Sequence, residues 1–406
     1  LAGRSRQNDV KMEAGKTYTR CGAGAIRVLD SEAGGCREPT SRDVEIFARL
    51  QDVLEYISFC GGCVYPSDAH PAIRDICQIK TMLENTEKHI RFASLSAANL
   101  DYVVRLAQAV VGDSEELKKR PILSCIASPS SPLKYTHDQA EVIIRCGTHG
   151  LPVMIASTPS MGATGPVTLA GSLTLQNAET LAGIVLSQIK NPGALISYGP
   201  RTPTMDMRTG LCAWGPVEFG LAAAAAAQIG GFYGLETDVY GPTTDAKVPD
   251  EQAGIERAFS TVMAALAGAN VINGAGNLES ILTMSVEQLI IDNEMLGMMF
   301  RMMRGIRTDE DAIAVDITCR VGAGGQFFTD VHTRQHYRSE HFVPELFDRR
   351  TRDSWKQAGG KDIRERSKEK ASAILSQHAV APLDSDTLSE MNLILQDAKK
   401  RITKLS

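Results

Sequence analysis

The sequence is poor in aromatic residues and has no long apolar run. Aromatic residues make up only 5% of its 406 residues. A ligand-binding site lined entirely by aromatic rings is therefore less expected than one that also uses carboxylates. No stretch offers about eighteen unbroken apolar residues, which argues against a transmembrane helix. No signal peptide is visible, and the chain begins at Leu1 without Met, so the true N-terminus is expected upstream. We expect a soluble protein of the cytoplasm.

A basic stripe and a cysteine framework are also missing. The net charge is −5 and acids and bases are interspersed, which argues against a nucleic-acid-binding surface and favours small molecules and proteins as partners. The nine cysteines are scattered through a large chain, so a reducing compartment is expected and a disulfide scaffold is not. Cys60 and Cys63 form a C-x-x-C pair without a second pair, which favours buried thiols over zinc.

The familiar catalytic motifs are absent. The chain has no P-loop, no G-x-S-x-G turn and no complete G-x-G-x-x-G between a strand and a helix. His332 and His336 could share a metal ion only if a helix begins at His332, and the Glu that follows the first His in zincin proteases is missing. The sequence therefore predicts no metal site.

What the sequence does contain is a regular alternation of strand and helix patterns. Each strand candidate is a short apolar run that ends in Ser, Thr, Pro or Gly, as parallel strands covered on both faces do. Seven units begin at FCGGCV, IRFASL, ILSCIA, PVMIAS, ALISYG, FYGLETDVYG and NVINGAG, and an eighth can be made from DEDAIAVDITCRVG and QFFTDVHTRQHYR. Seven or eight units over roughly 280 residues predict an α/β fold of the (β/α)8 TIM-barrel type.

The remaining segments flank this barrel. Residues 1–56 are predicted to form an N-terminal extension that ends in an amphipathic helix beginning near Thr40, and residues 57–340 the barrel. Residues 341–406 have the alternating charges of solvated helices and are predicted to form a C-terminal helical segment. The alanine-rich run at residues 222–227 predicts a helix that packs closely against its neighbours.

In a TIM barrel the chemistry lies at the carboxyl ends of the strands. Loops that follow the predicted fifth to eighth strands offer carboxylates, aromatic rings and cationic side chains. The candidate site residues are Tyr198, Arg201, Asp206, Arg208, Glu236, Asp238, Tyr240, Asp245, Asn273, Phe327, Phe328 and His332. We expect these side chains to converge on one rim of the barrel.

Four separated runs resemble a known family. MDMRTG at residues 205–210, TDAKVPDEQAG at 244–254, ALAGANVINGAGNLES at 265–280 and VGAGGQFFTDVHTRQHYR at 321–338 are similar to the trimethylamine:corrinoid methyltransferase family. The resemblance extends from about Pro39 to the C-terminus. It implies a barrel enzyme of one-carbon metabolism that moves a methyl group from a methylated amine to the cobalt of a separate corrinoid protein.

The resemblance also bears on the substrate. Members of that family that act on trimethylamine carry pyrrolysine, whereas this chain contains only standard residues. The relatives without pyrrolysine imply a quaternary amine such as glycine betaine, proline betaine or a carnitine-like compound. Cobalamin is expected to be presented by a partner protein or to act free, with no cofactor bound tightly by this chain. We also expect a homo-oligomer.

The chemistry of such a reaction assigns roles to the candidate residues. A quaternary ammonium leaves as a neutral amine when Co(I) attacks its methyl group, so the protein must bind a cation, orient it and exclude water. We assign catalytic roles to Glu236, Asp245 and His332, and substrate binding to the other nine candidates. Aromatic faces and carboxylates would hold the cation, and Arg201, Arg208, His332 or Asn273 a substrate carboxylate. The alternatives are a quaternary-amine-binding barrel without activity and a pterin-dependent methyltransferase on the same fold.

Overall fold

Eight parallel strands close into a barrel in the computed structural model, which describes residues 1–13, 15–30 and 34–403. The last three residues of the predicted C-terminal segment lie outside the described residues. The strands, numbered along the chain, are β1 (Tyr18–Cys21), β2 (Arg27–Asp30), β3 (Gly35–Arg37), β4 (Cys60–Gly61), β5 (Ile90–Ala93), β6 (Leu123–Ala127), β7 (Val153–Ile155), β8 (Ile196–Tyr198), β9 (Thr204–Asp206), β10 (Leu211–Ala213), β11 (Glu236–Tyr240), β12 (Val271–Ala275), β13 (Asn277–Leu278) and β14 (Thr283–Met284).

The barrel strands follow the order β1-β12-β11-β8-β7-β6-β5-β4. A parallel bridge between Arg20 and Phe59 joins the two ends of this sheet. The predicted TIM barrel is therefore confirmed. Two smaller sheets lie among the connecting loops, a β9–β10 hairpin and a four-stranded sheet of β13, β14, β2 and β3.

A helix follows each barrel strand, as the alternation predicts. The helices are α1 (Ser41–Val53), α2 (Arg74–Asn85), α3 (Ala97–Val111), α4 (Ser114–Lys119), α5 (His137–Thr148), α6 (Leu169–Lys190), α7 (Val217–Phe232), α8 (Glu251–Leu266), α9 (Val286–Met303), α10 (Glu310–Ile313), α11 (Val315–Val321), α12 (Val331–Glu340), α13 (Arg352–Gln357), α14 (Ile363–Gln377) and α15 (Ser385–Ile402), with 3-10 turns at Arg6–Asn8 and Pro71–Ile73. The amphipathic helix expected after Thr40 is α1, and the backbone N–H of Thr40 donates to the Asp43 carboxylate at 2.7 Å.

The first barrel strand comes from the segment that the sequence assigned to an extension. β1 pairs with β12 on one side and lies beside β4 on the other, so it occupies the eighth position of the barrel. The predicted eighth unit is wrong: residues 309–340, all of them described, form α10, α11, α12 and turns. The predicted limits at residues 56 and 340 accordingly differ from the barrel's first strand, which begins at Tyr18, and its last helix, which ends at Met303.

The core lies between the strands and the surrounding helices. Val239 of β11 is buried among apolar residues of this layer, and the residues on either side of it point the other way, into the barrel. In α7, the predicted close packing of the alanine run is confirmed, since Ala222, Ala223, Ala226 and Ala227 are buried. None of the helices in the described ranges combines the length and the apolar character that crossing a membrane requires.

Close approach of α7 to the barrel gives a matched pair of glycines for a stability test. A Cβ on Gly230 would overlap Thr237 Cγ2 and lie 3.0 Å from Tyr198 Cδ1, whereas a Cβ on Gly231 would meet nothing within 4 Å. Thr237 is fixed because its hydroxyl donates to Asn270 at 3.2 Å. Gly230→Ala is therefore expected to lower the free energy of unfolding by about 1–3 kcal/mol, and Gly231→Ala to leave it unchanged or raise it by up to about 1 kcal/mol. Denaturant unfolding of both variants checks this, and equal shifts would contradict the packing argument.

Helices after the barrel cover its outside. α14 packs against α9 and α1, and α15 packs against α3. Tyr102 of α3 donates to the Asp397 carboxylate of α15 at 3.2 Å, and Arg49 of α1 donates to the Leu375 and His378 carbonyls at 2.6 and 2.7 Å. The predicted C-terminal helical segment therefore rests on the helical layer of the barrel rather than on its strand ends.

Candidate active site

A buried ionic cluster fills the middle of the barrel. The Asp238 carboxylate of β11 accepts from Arg20 Nε and Nη2 at 2.9 and 3.0 Å and from Arg91 Nη1 at 2.7 Å. Arg201 Nη2 lies 3.8 Å from the same carboxylate, and the Asn273 amide donates to it. β5, which carries Arg91, and β11 are separated by three other strands in the sheet order. Because Asp238 spans that distance, these side chains meet inside the barrel and not on its surface.

Positive charges outnumber negative charges in this cluster. Burial alone would raise the pKa of Asp238, but the charges of Arg20, Arg91 and Arg201 outweigh burial and lower that pKa to about 2. Burial also lowers the pKa of Arg201. A second carboxylate, that of Glu236, lies 3.4 Å from Arg91 Nη2. Three guanidinium groups thus face two carboxylates, which leaves one positive charge in excess in the barrel.

An aromatic cluster adjoins the ionic one at the carboxyl end of β11. The Trp214 ring centroid lies 5.1 Å from both the Phe219 and Tyr240 centroids. The guanidinium carbon of Arg201 lies 5.0 Å from the Tyr240 ring centroid, in the geometry of a cation–π contact. Arg201 therefore touches both clusters, with Tyr240 on one side and Asp238 on the other.

Hydrogen bonds fix the loops over the carboxyl ends of β8, β11 and β12. Asp245 accepts from the backbone N–H groups of Trp214 and Gly215 at 2.8 and 3.1 Å and from the Ser280 hydroxyl at 2.6 Å. The Asp245 carboxylate thereby ties three loops together, and this position supports a structural function for it. Tyr240, Trp214 and Arg201 are each less than one-tenth exposed, so these loops cover the site.

Behind these loops, a second buried ion pair joins α8 to α9. Arg257 Nη2 lies 3.3 Å from Asp292 Oδ2, and its guanidinium also donates to the carbonyls of Pro242 and Asn277. Burial raises the pKa of Asp292, against the effect of the Arg257 charge. The pair fixes the first residues of the loops that follow β11 and β12.

Two buried amides near the cluster have unused hydrogen-bonding atoms. Among the described residues, Asn273 Oδ1 and both polar side-chain atoms of Asn277 have no hydrogen-bond partner. Both side chains are almost fully buried, and a buried polar atom without a partner is costly.

The structure brings some of the twelve candidates together and places the others elsewhere. Arg201, Asp238, Tyr240 and Asn273 lie together inside the barrel, and Asp245 lies in the loop above them. Glu236 is the first residue of β11, so it lies at the amino end of the strand, away from the face where TIM-barrel chemistry occurs.

Tyr198 points away from the barrel interior. Its hydroxyl donates to Asn177 Oδ1 of α6 at 3.0 Å, and its ring centroid lies 6.3 Å from that of Tyr233. Burial raises the pKa of Tyr198. The side chain therefore packs among the outer helices and does not face a ligand in the barrel.

The remaining candidates lie outside the barrel. Asp206 and Arg208 occupy the tip of the β9–β10 hairpin, where they pair with each other at 2.8 Å, and the Arg208 side chain is 89% exposed. Phe327 and Phe328 lie between α11 and α12 and are exposed, and His332 lies in the first turn of α12. Cavities of about 640 and 520 Å³ are lined by none of the twelve candidates.

Sequence analysis missed four residues of the two clusters, namely Arg20, Arg91, Trp214 and Phe219. Arg91 stands between Ile90 and Phe92 in β5, and strand alternation turns it to the opposite face from both of them. A charged residue in the middle of an apolar strand was the available signal. Arg20 lies in the four-residue strand YTRC, which contains no run of apolar residues to mark it as a strand.

Together, these features define a class of protein: a TIM barrel with a covered, charged and partly aromatic site at the carboxyl ends of its strands. Across residues 1–403 the chain matches the family model described as trimethylamine methyltransferase (MTTB). The chain belongs to this family, and it is a methyltransferase. The resemblance stated from the four sequence runs is thereby confirmed.

Two curated relatives illustrate the range of the family. The chain is 38% identical to the trimethylamine methyltransferase MttB of Methanosarcina barkeri, over 98% of this chain and 82% of that protein. It is 31% identical to the glycine betaine methyltransferase of Desulfitobacterium hafniense, over 99% of this chain and 84% of that protein. Similar identities to relatives with different substrates mean that overall similarity does not identify the substrate.

A solved structure supports the fold. The crystal structure of the Methanosarcina barkeri monomethylamine methyltransferase (MtmB) aligns with a TM-score of 0.50 and 12% identity, over 100% of this chain and 77% of that chain. At this identity, the similarity concerns the barrel architecture alone.

Proposed function

We propose that this chain transfers a methyl group from a quaternary amine that also carries a carboxylate, such as glycine betaine, to the Co(I) of a corrinoid presented by a partner protein. The relatives named for trimethylamine and for glycine betaine support a methylated amine as donor. The single observation that carries the choice of a carboxylated substrate is the position of Arg201, between an aromatic face and a cluster with excess positive charge.

The substrate cation fits the aromatic cluster. The Arg201 guanidinium over Tyr240 demonstrates that a cation is accommodated against this ring. A quaternary ammonium would take that place, with Trp214 and Phe219 beside it. Each contact between the cation and a ring would contribute about 0.5–2 kcal/mol in such a desolvated site.

The substrate carboxylate fits the guanidinium groups. One positive charge in excess inside the barrel favours an anion. The Arg201 Nη1 group donates to the Gly199 carbonyl at 2.9 Å, so the guanidinium would leave both this carbonyl and the Tyr240 ring to present two N–H donors to a carboxylate. The amide of Asn277, which has no partner among the described residues, would supply a further donor. A zwitterion therefore matches the site better than trimethylamine, which has no carboxylate.

The reaction then needs little acid–base chemistry from the protein. Attack by Co(I) forms a Co–C bond with the electron pair of cobalt, and the C–N bond breaks so that its pair stays on nitrogen. The leaving group is a neutral tertiary amine and requires no proton. What the chain supplies is binding, orientation of one methyl group and exclusion of water by the loops that Asp245 ties together.

A donor panel tests the proposal. Purified protein is given cob(I)alamin with glycine betaine, proline betaine, carnitine, trimethylamine or choline, and methylcobalamin formation is followed by absorbance. Choline is the matched control because it has the quaternary ammonium without the carboxylate. We expect kcat/KM for a betaine to exceed that for choline by roughly 10- to 100-fold, the value of a hydrogen-bonded charge pair of about 1.5–3 kcal/mol.

The other outcomes identify the alternatives. Equal kcat/KM values for betaines and choline would contradict the proposal that the guanidinium groups bind the substrate carboxylate. Methyl transfer to tetrahydrofolate without any corrinoid would establish a pterin-dependent enzyme. Betaine binding in calorimetry, with no methyl transfer to either free or protein-bound corrinoid, would establish a binding protein.

A further inference from the structure

Residues 305–341, which we call the arm, have no core of their own. They contain α10, α11 and α12, and none of the residues in these three helices is buried. Phe328 is 87% and Ile306 88% exposed. The arm must therefore be held in shape by polar contacts between its helices rather than by apolar burial.

One cluster joins α10 to α12. His332 and His336 lie one turn apart on α12, with ring centroids 4.3 Å apart. Asp311 of α10 faces both rings: its carboxylate Oδ2 lies 3.1 Å from His336 Nε2, and its carbonyl oxygen lies 3.1 Å from His332 Nε2. One ligand atom from each of the three side chains lies within 4.8 Å of the other two.

We propose that Asp311, His332 and His336 bind a divalent transition-metal ion of the Zn²⁺ class, which fastens α10 to α12. Two imidazole nitrogens and one carboxylate oxygen form a common ligand set for such ions, with open positions left for water. The sequence predicted no metal because the spacing is useful only if a helix begins at His332. The helix begins at Val331, and the Asp330 side chain accepts from the His332 N–H at 2.9 Å, so both imidazoles lie on one face.

The cluster has room to contract around an ion. Tetrahedral coordination with bonds of about 2.0–2.1 Å places ligand atoms about 3.3 Å apart. The ligand atoms lie within 4.8 Å of one another, so the widest separation must shorten by at most roughly 1.5 Å. The Asp311 side chain is 60% exposed and can rotate. Its competing partner is Arg307, whose Nη2 lies 3.4 Å from Asp311 Oδ2 but 2.7 Å from Asp309. Arg307 therefore keeps its stronger partner when Asp311 turns toward the ion.

The site is independent of the proposed reaction. Its three ligands lie in the arm, whereas the ionic and aromatic clusters lie on β1, β5, β11, β12, the loop after β8 and the first turn of α7. A metal ion here would stabilise the arm, because it would join α10 to α12, and neither helix contains a buried residue.

Metal binding is tested on the full chain after chelation and desalting. Titration with Zn²⁺ in a calorimeter is expected to give one site per chain, and Co²⁺ is expected to give the visible absorption of a bound, low-symmetry ion. His336→Ala and Asp311→Ala should each weaken Zn²⁺ binding by roughly 100-fold or more, because each removes one of three ligands. His341→Ala is the matched control, since His341 ends the same helix with its ring beside Tyr337.

Limited proteolysis gives a second readout. Zn²⁺ is expected to slow cleavage within residues 305–341 in the wild type and in His341→Ala, but not in His336→Ala. The proposal is overturned if the wild type binds no Zn²⁺, or if His336→Ala binds it with unchanged affinity and stoichiometry. It is also overturned if Zn²⁺ binds but leaves cleavage of the arm unchanged, because the ion would then not fasten the two helices.

Discussion

Asp238→Asn is expected to lower the free energy of unfolding by about 3–5 kcal/mol, the cost of leaving buried charges without their partner. The carboxylate is fully buried and is shared by Arg20, Arg91 and Arg201, so its loss leaves three guanidinium groups inside the barrel with only Glu236 nearby. Denaturant unfolding measures the difference. Asp206→Asn is the matched control and should stay within about 0.5 kcal/mol of the wild type, because its partner Arg208 is exposed.

The pH dependence of stability follows from the same carboxylate. The pKa of Asp238 is lowered to about 2, below the ordinary value of about 3.9. A depressed pKa contributes stability that is present above about pH 4 and is lost as the pH falls toward 2. The wild type should therefore lose stability more steeply than Asp238→Asn in this window.

A double variant keeps this prediction testable if Asp238→Asn does not fold. Adding Arg20→Met removes one of the unpaired cations, so the double variant should be more stable than the single variant. If the single variant is as stable as the wild type, or the double variant is less stable than the single one, the carboxylate does not hold the cluster together.

This cluster also explains where prediction of the fold failed. The strands β5 to β8 and β12 are largely apolar runs, so the local sequence predicts their burial, and the alternation with helices predicts the barrel. β1 has no such run, because Thr19 and Arg20 are buried polar residues. Arg20 is tolerated inside the barrel only because Asp238, 218 residues away along the chain, neutralises it. No local pattern contains that information.

The positions of individual candidate residues differ from the expected ones for a different reason. Asp238 and Tyr240 share a face with Glu236 because side chains alternate along β11, but position along the strand decides which end of the barrel each reaches. Tyr198 was misplaced because a shift of one residue in a short strand moves a side chain from the interior to the helical layer. Asp206 and Arg208 were misplaced because the loop after β8 forms a separate hairpin, which carries them away from the barrel.

Arg201 contacts both the candidate residues that meet in the barrel and the aromatic cluster that sequence analysis did not name in full. It lies among Asp238, Tyr240 and the guanidinium of Arg20, and a zwitterionic substrate would need one partner for its cation and another for its anion. When the substrate cation occupies the Tyr240 face, Arg201 is released toward the carboxylate. Exchange of this kind would make binding of the two charged groups interdependent.

Arg201→Met is therefore expected to reduce kcat/KM for glycine betaine by roughly 10- to 100-fold, since one charged hydrogen-bonding partner of the carboxylate is lost. With choline, which lacks the carboxylate, the same variant should change kcat/KM by less than about threefold. Arg201→Lys keeps the charge but not the paired donors, and it should lie between the wild type and Arg201→Met for betaine. Cob(I)alamin methylation at several substrate concentrations separates KM from kcat.

Arg208→Met is the matched control for this prediction, because Arg208 has the same charge and length but lies at the exposed hairpin tip, paired with Asp206. We expect its kcat/KM to equal that of the wild type for both donors. Unfolding curves of all three variants show whether a loss of activity arises from instability, since Arg201→Lys retains the cation near Asp238. An equal loss for betaine and choline in folded Arg201→Met would assign Arg201 to the architecture of the barrel instead of to the substrate carboxylate.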